Sequence, residues 1–256
     1  MSLEPADEFG LILWSHSTGW LGLKRQQIAS RTFGDDRGRL MPIPQLASVF
    51  ERLPRLTFIY FDSCFMGNVE SLYELRDAAD WIVASPAEVP FDGAPYNESL
   101  ASLYAPVPDG LCESARLVYD HYSQQSSSVL RSCTVSVYRM SAIEELADAV
   151  AEAYASTAPA VSLDGIQQYG FPKKMAYFPD LFFDFEDYMT VRGALTMRVD
   201  AALADLVYVK YATTSLWGYP LDRTCGISVF PYEELSASGN RYSYTDLSWY
   251  SRVYDK

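Results

Sequence analysis

Short apolar runs recur along the chain, separated by longer segments with a different period. FGLILW (9–14) is nearly all apolar and leads into Ser15-His16-Ser17-Thr18-Gly19. LTFIYF (56–61) is rich in aromatic and β-branched residues and ends at Asp62-Ser63. DWIVAS (80–85) stops at Pro86, and TVSVY (134–138) and ISVF (227–230) complete the set. Runs that are apolar on both faces suit strands of a parallel sheet covered by helices on each side. Between them the pattern becomes helical. Apolar residues fall at 43, 46, 47, 49, 50 and 53, and similar spacing covers 69–75, 111–122 and 143–154. A last helix is expected at roughly 196–209, leading through Thr213-Thr214 into the final strand. The stretch 157–195 is rich in aromatics, Pro and Gly and predicts loops and a hairpin. Strands alternating with helices give an α/β fold. No internal repeat or low-complexity linker interrupts the pattern, so one domain over 1–256 is expected.

Composition narrows the function classes. The 256 residues are 49% apolar, which is ample for a core and excludes a disordered chain. With 20 Lys+Arg against 33 Asp+Glu the net charge is −13. Phosphate binding needs a basic surface, so nucleic acid is not an expected partner. An acidic site for a cationic ligand would fit. No apolar run reaches the ~20 residues of a membrane helix. The start, MSLEPADEFG, lacks the basic and apolar regions of a secretory signal. Four cysteines, Cys64, Cys112, Cys133 and Cys225, are widely spaced without a CxxC pair. Neither a zinc site nor a disulfide scaffold follows from them.

Two apolar runs end in chemistry. FGLILW runs into His16, and LTFIYF runs into Asp62-Ser63-Cys64. In a parallel sheet, catalysts gather at the carboxyl ends of the strands. His16 and Cys64 lie 48 residues apart, enough for one crossover carrying the 43–53 helix. Neighbouring parallel strands would therefore bring both to one edge. Cys64 also precedes the 69–77 helical segment, whose N-terminal dipole would lower a thiol pKa. An imidazole nearby would lower it further and could protonate a leaving amine. The competing reading is a core cysteine and a structural histidine. The spacing also matches that between the caspase histidine and cysteine, although Q-A-C-[RQG]-G is absent.

WSHSTGW (14–20), FDSCFMGNVE (61–70) and ASPAEVPFDG (84–93) together resemble the clostripain family of cysteine peptidases, in its Bacteroidetes branch. Asp-x-Cys-x-Met-Gly-x-x-Glu is the most specific part, and CGISVFP (225–231) extends the likeness. The resemblance implies a caspase-like three-layer sandwich with a mostly parallel sheet. It implies an endopeptidase that cuts protein or peptide substrates after Arg or Lys, with no cofactor and an extracellular, periplasmic or cell-surface location. Cys64 would be the nucleophile and His16 its partner. Asp62 and Asp92 would bind the basic P1 side chain, and the main-chain N–H groups of Ser17 and Cys64 would hold the oxyanion. The family usually has Gly where Ser17 stands, and Ser would be strained there if φ were positive. The family histidine follows the third strand of the sheet. The resemblance thus implies two earlier strands with a signal upstream, and an FGLILW edge open to association. A basic stretch, Lys24, Arg25, Arg31, Arg37 and Arg39, matches the loop where relatives are cleaved on activation. Asp35 and Asp36 in that loop suggest calcium only weakly.

Two other functions remain open. A catalytically inactive relative would be a cell-surface binding or scaffold protein with an ordinary Cys64. The acidic, aromatic stretch 177–188, with Asp180, Asp184, Glu186 and Asp187, would in principle suit a glycan site. His121, in a helical pattern beside Asp120, reads as structural.

Overall fold

The computed structural model describes residues 6, 8–21, 33–36, 39–157, 161–170, 181–241 and 243–255, with only the backbone at 35, 36, 39, 40 and 241. The first half runs β1 (Gly10–Trp14), β2 (Phe33–Asp36), β3 (Arg39–Met41), α1 (Ile43–Phe50), β4 (Leu56–Asp62), α2 (Val69–Glu74) and β5 (Ala79–Ala84). It continues through α3 (Tyr96–Ser99), α4 (Asp109–Ser123), β6 (Thr134–Arg139) and α5 (Ile143–Ser156). Then follow β7 (Phe183–Asp184), α6 (Phe185–Val191), α7 (Met197–Leu206), β8 (Val207–Ala212), β9 (Ser215–Leu216) and β10 (Tyr219–Pro220). The chain closes with β11 (Ser228–Val229), α8 (Tyr232–Arg241) and α9 (Ser248–Val253).

The central sheet has the order β1-β4-β5-β6-β8. β1, β4 and β5 pair in parallel, while β6 is antiparallel to both of its neighbours. Four of the five strands therefore point one way. Strand alternation sorts β4 onto two cores. Ile59 and Phe61 join a large cluster with Leu46, Leu72, Leu146 and Phe230. Phe58 and Tyr60 face the other way, onto Leu111, Ala115, Val118 and Tyr122 of α4. The result is three layers, helix on sheet on helix, as expected. The outer edge of β1 has no strand partner among the described residues.

The second half departs from the sequence pattern. Residues 207–212 form the last strand of the sheet rather than the end of a helix. Their burial alternates, because this is an edge strand with one face packed and the other toward solvent. The helix before it, α7, stops at Leu206. The run ISVF contributes only β11, which pairs with β7 outside the central sheet. Within 157–195 the aromatic FEDYMTV forms α6, capped by Asp184, whose side chain accepts from the Asp187 N–H at 3.0 Å. Burial of Phe185, Tyr188 and Met189 outweighs the low helix propensity of the aromatics.

Candidate active site

Parallel register decides where the reactive residues lie. Trp14 is paired with Asp62 at the carboxyl ends of β1 and β4. Ser15 N–H still donates to the Asp62 carbonyl at 3.4 Å. His16 and Cys64 are each two residues beyond that pair, so they leave the sheet side by side at one edge. The β2–β3 hairpin pins the histidine: Gly34 N–H donates to the His16 carbonyl at 3.0 Å, while the His16 side chain stays exposed.

The loop carrying His16 is packed onto the loop carrying Cys64. Ser17 Oγ donates to Met66 Sδ at 3.0 Å and accepts from Gly19 N–H at 3.2 Å. Gly19 has φ +61, and a Cβ there would lie 2.5 Å from the Phe65 carbonyl oxygen. Only glycine allows that approach. Ser17 itself is not among the residues with positive φ, so serine costs no strain where relatives carry glycine. The left-handed residue is Phe65, at φ 56, directly after Cys64. Such a conformation costs a non-glycine residue about 1–3 kcal/mol. It is held by Phe65 N–H on the Ala87 carbonyl at 2.9 Å and by ring stacking on Phe182 at 4.6 Å. Asn68 caps α2 through Ser71 N–H and also bonds the Phe65 carbonyl. Among the described residues, the N–H groups of Ser17 and Cys64 have no main-chain acceptor.

The Cys64 thiol is set by burial rather than by a helix. Desolvation pushes it up to about 11, the Val89 N–H at 3.4 Å pulls it down, and the charges of Glu88 and Asp62 push it up again. The expected lowering by the dipole of α2 does not appear. Asn68, not the thiol, occupies the end of that helix, and dipole effects fade within one turn. Glu88, half-buried beside Val89, is itself raised to about 7 by burial.

Asp62 continues the Phe58–Tyr60 face of β4 toward α4 and is 4% exposed. Its Oδ2 accepts from Ala94 N–H at 3.0 Å and from Tyr96 Oη at 2.7 Å. Oδ1 has no partner among the described residues, and the residue lines a small cavity with Ser85, Val89, Pro90, Ala94 and Tyr122. Asp62 therefore does not cap a helix; it anchors the 93–96 turn and leaves one acceptor free. Gly93 closes over it with φ +69, a Cβ there falling 2.6 Å from Oδ2. Asp92 is exposed at the same turn. Burial, then the charges of Asp92 and Asp62, hold the Tyr122 phenol above its usual range, so both acids act on one space. Sequence reading missed Glu88, Val89, Tyr96 and Tyr122. The Asp92-Gly93 turn signalled the loop, and only the family resemblance, not the residue pattern, implied that it folds back onto Asp62.

Other candidates lie elsewhere. His121 Nδ1 faces Glu98 Oε1 at 3.1 Å on α4. Asp184 is consumed by Tyr169, Cys225 N–H and its own cap, and Asp187 by Arg223 and Gln167 N–H. Asp184 and Asp187 thus hold β7 and α6 in place. Asp180 lies outside the described residues, as do Lys24, Arg25, Arg31, Arg37 and the side chains of Asp35, Asp36 and Arg39. Among the described residues no cluster of three His, Cys, Asp or Glu could hold a metal, and no helix is long and apolar enough to cross a membrane. All four cysteines are free.

The clostripain family model, peptidase family C11, matches residues 2–210. The fold is similar to that of a secreted C11 cysteine protease from Bacteroides thetaiotaomicron, solved with an irreversible peptide inhibitor. Identity is 26% and the TM-score 0.81, over 98% of this chain and 74% of that one. An inactive zymogen C11 protease from Parabacteroides distasonis matches at 25% identity and TM-score 0.78, over 98% and 71%. A cysteine protease from B. fragilis, at 24% identity and TM-score 0.74, shares the fold over 86% of this chain and 96% of its own. A search of curated proteins gave no match. These matches make the protein a cysteine-type peptidase, and the chain belongs to the clostripain family.

Proposed function

We propose that the chain is an endopeptidase that cuts after Arg or Lys, with Cys64 as nucleophile and His16 as its acid–base partner. The observation that carries this reading is the Asp62 carboxylate. It ends the strand that leads to Cys64, is buried, lines a small cavity, and has no partner for Oδ1 among the described residues. A buried acceptor of that kind suits a guanidinium or ammonium group. Asp92 adds negative charge at the mouth.

The thiol at about 11 is protonated at neutral pH. His16 takes the Sγ proton as Sγ attacks the scissile carbonyl carbon. The oxyanion is met by the main-chain N–H groups of Ser17 and Cys64. The C–N bond then breaks, and the imidazolium returns the proton to the leaving amine. Water, giving its proton to His16, attacks the thioester carbon. The C–S bond breaks and Sγ takes the proton back. The secreted relative supports action outside the cytoplasm.

The test is labelling with an arginine-ended electrophile, mapped by peptide mass spectrometry, with a neutral-ended analogue as control. Selective modification of Cys64, lost in Cys64→Ala together with peptidase activity, is the expected result. Equal labelling by both reagents would remove the basic P1 preference. Full activity in Cys64→Ala would remove the nucleophile.

A further inference from the structure

Trp14 has no role in the chemistry above, yet it stands beside the Asp62 carboxylate. The two are register partners on neighbouring parallel strands, so their side chains leave the same face of the sheet. The turn at Gly93 joins them. One point, the position a Cβ would take on Gly93, lies 2.6 Å from Asp62 Oδ2 and 3.2 Å from Trp14 Nε1. The indole nitrogen is thereby tucked against Gly93, while Trp14 as a whole remains 69% exposed. A tryptophan left that open is unusual unless something covers it. Trp14 is also two residues before His16. Asp62 Oδ2 and the indole nitrogen flank one point, so a side chain reaching that carboxylate there would come beside the indole.

We infer that Trp14 is a specificity-determining residue of the P1 site, an aromatic wall against which a planar guanidinium stacks, favouring Arg over Lys. The inference rests on Asp62 as the P1 acid and adds a selection that a carboxylate alone does not make. A carboxylate attracts both cations. An indole face adds a stacking surface matched to a delocalised plane, and arginine uses it more often than lysine.

The experiment compares kcat/KM on matched peptides ending in Arg, Lys or an uncharged residue at P1, for the wild type, Trp14→Phe and Trp14→Leu. Trp14→Leu is expected to lose about five- to tenfold on Arg and no more than about twofold on Lys. Trp14→Phe should keep most of the Arg advantage. An equal loss on Arg and Lys, or an unchanged ratio, would overturn the inference and leave the P1 reading intact. A wild type that cleaves the uncharged peptide as well as the basic ones would instead remove the P1 reading itself. Thermal unfolding of each variant separates selectivity from folding, since the ratio of two substrates on one enzyme does not depend on how much is folded.

Discussion

Two buried carboxylates, eight residues apart in one motif, serve opposite sides of the central sheet. Asp62 lies on the α4 side of the sheet, accepts from the 94–96 turn with one oxygen, and lines a small cavity. Glu70 lies in α2, and its Oε1 accepts from Phe230 N–H at 2.8 Å and Tyr244 Oη at 3.0 Å. It ties the C-terminal segment to α2, beside a cluster of Trp20, Phe230, Tyr232 and Tyr244 rings. Its Oε2 is sealed without a partner, and burial raises the carboxyl to about 7. Both acids are buried, so burial does not separate function from structure. What separates them is that Asp62 lines a cavity, whereas Glu70 is enclosed by packed rings.

The sharpest way to break this contrast is Asp62→Asn. It keeps the shape but removes the charge. We expect kcat/KM on basic substrates to fall by roughly 10²–10³-fold, the scale of an unpaired buried cation. A loss that is equal on uncharged P1 substrates would turn Asp62 into a second Glu70. Gly93→Ala tests the turn that joins the two sides of the site. The positive φ alone should cost about 1–2 kcal/mol, and the new Cβ would push on the Asp62 carboxylate. Denaturant unfolding and P1 selectivity should both suffer, and an unaffected selectivity would separate the turn from the pocket.

Glu70→Gln should leave P1 selectivity unchanged and alter the pH dependence of stability. The folded carboxyl, near 7, lies above its ordinary 4.5. Its contribution is therefore fully present below about pH 4.5 and is lost as pH rises through 7. Relative to wild type, the variant should gain stability between pH 4 and pH 8, by up to about 3 kcal/mol. Parallel unfolding curves at both pH values would contradict this. The smallest effect is expected for Glu88→Gln. The Glu88 charge disfavours the thiolate, so its loss should raise alkylation of Cys64 about two- to threefold at pH 8. A slower alkylation would mean that Glu88 helps the thiolate instead.

Much of the parallel half was legible because its strands are apolar on both faces. FGLILW, LTFIYF and DWIVAS match β1, β4 and β5 within a residue or so, and the helices at 43, 69, 111 and 143 follow their apolar period. The antiparallel half was harder. Val207–Ala212 alternates in burial, and its Val-Tyr-Val-Lys-Tyr-Ala pattern runs on from the helical Ala-Ala-Leu-Ala before it. Local pattern alone could not say where one ended. The site divides in the same way. His16, Cys64 and Asp62 could be read from strand ends and the motif that resembles clostripains. Tyr96, Tyr122 and Val89 could not, because each touches the site through a turn or a helix distant in sequence.

The sequence by itself determined which strands are apolar on both faces, and hence the expectation that two reactive residues following them would meet at one edge. It also carried the family motif. Only the tertiary structure decided the state of those groups. The Cys64 thiol precedes a helix, yet desolvation by burial governs it. Asp62 and Glu70 are two acids of one motif, yet one lines a cavity and the other is sealed among packed rings. Periodicity along a chain fixes the face a side chain leaves from; the solvent, charge and partners it meets are set by segments that only folding brings near.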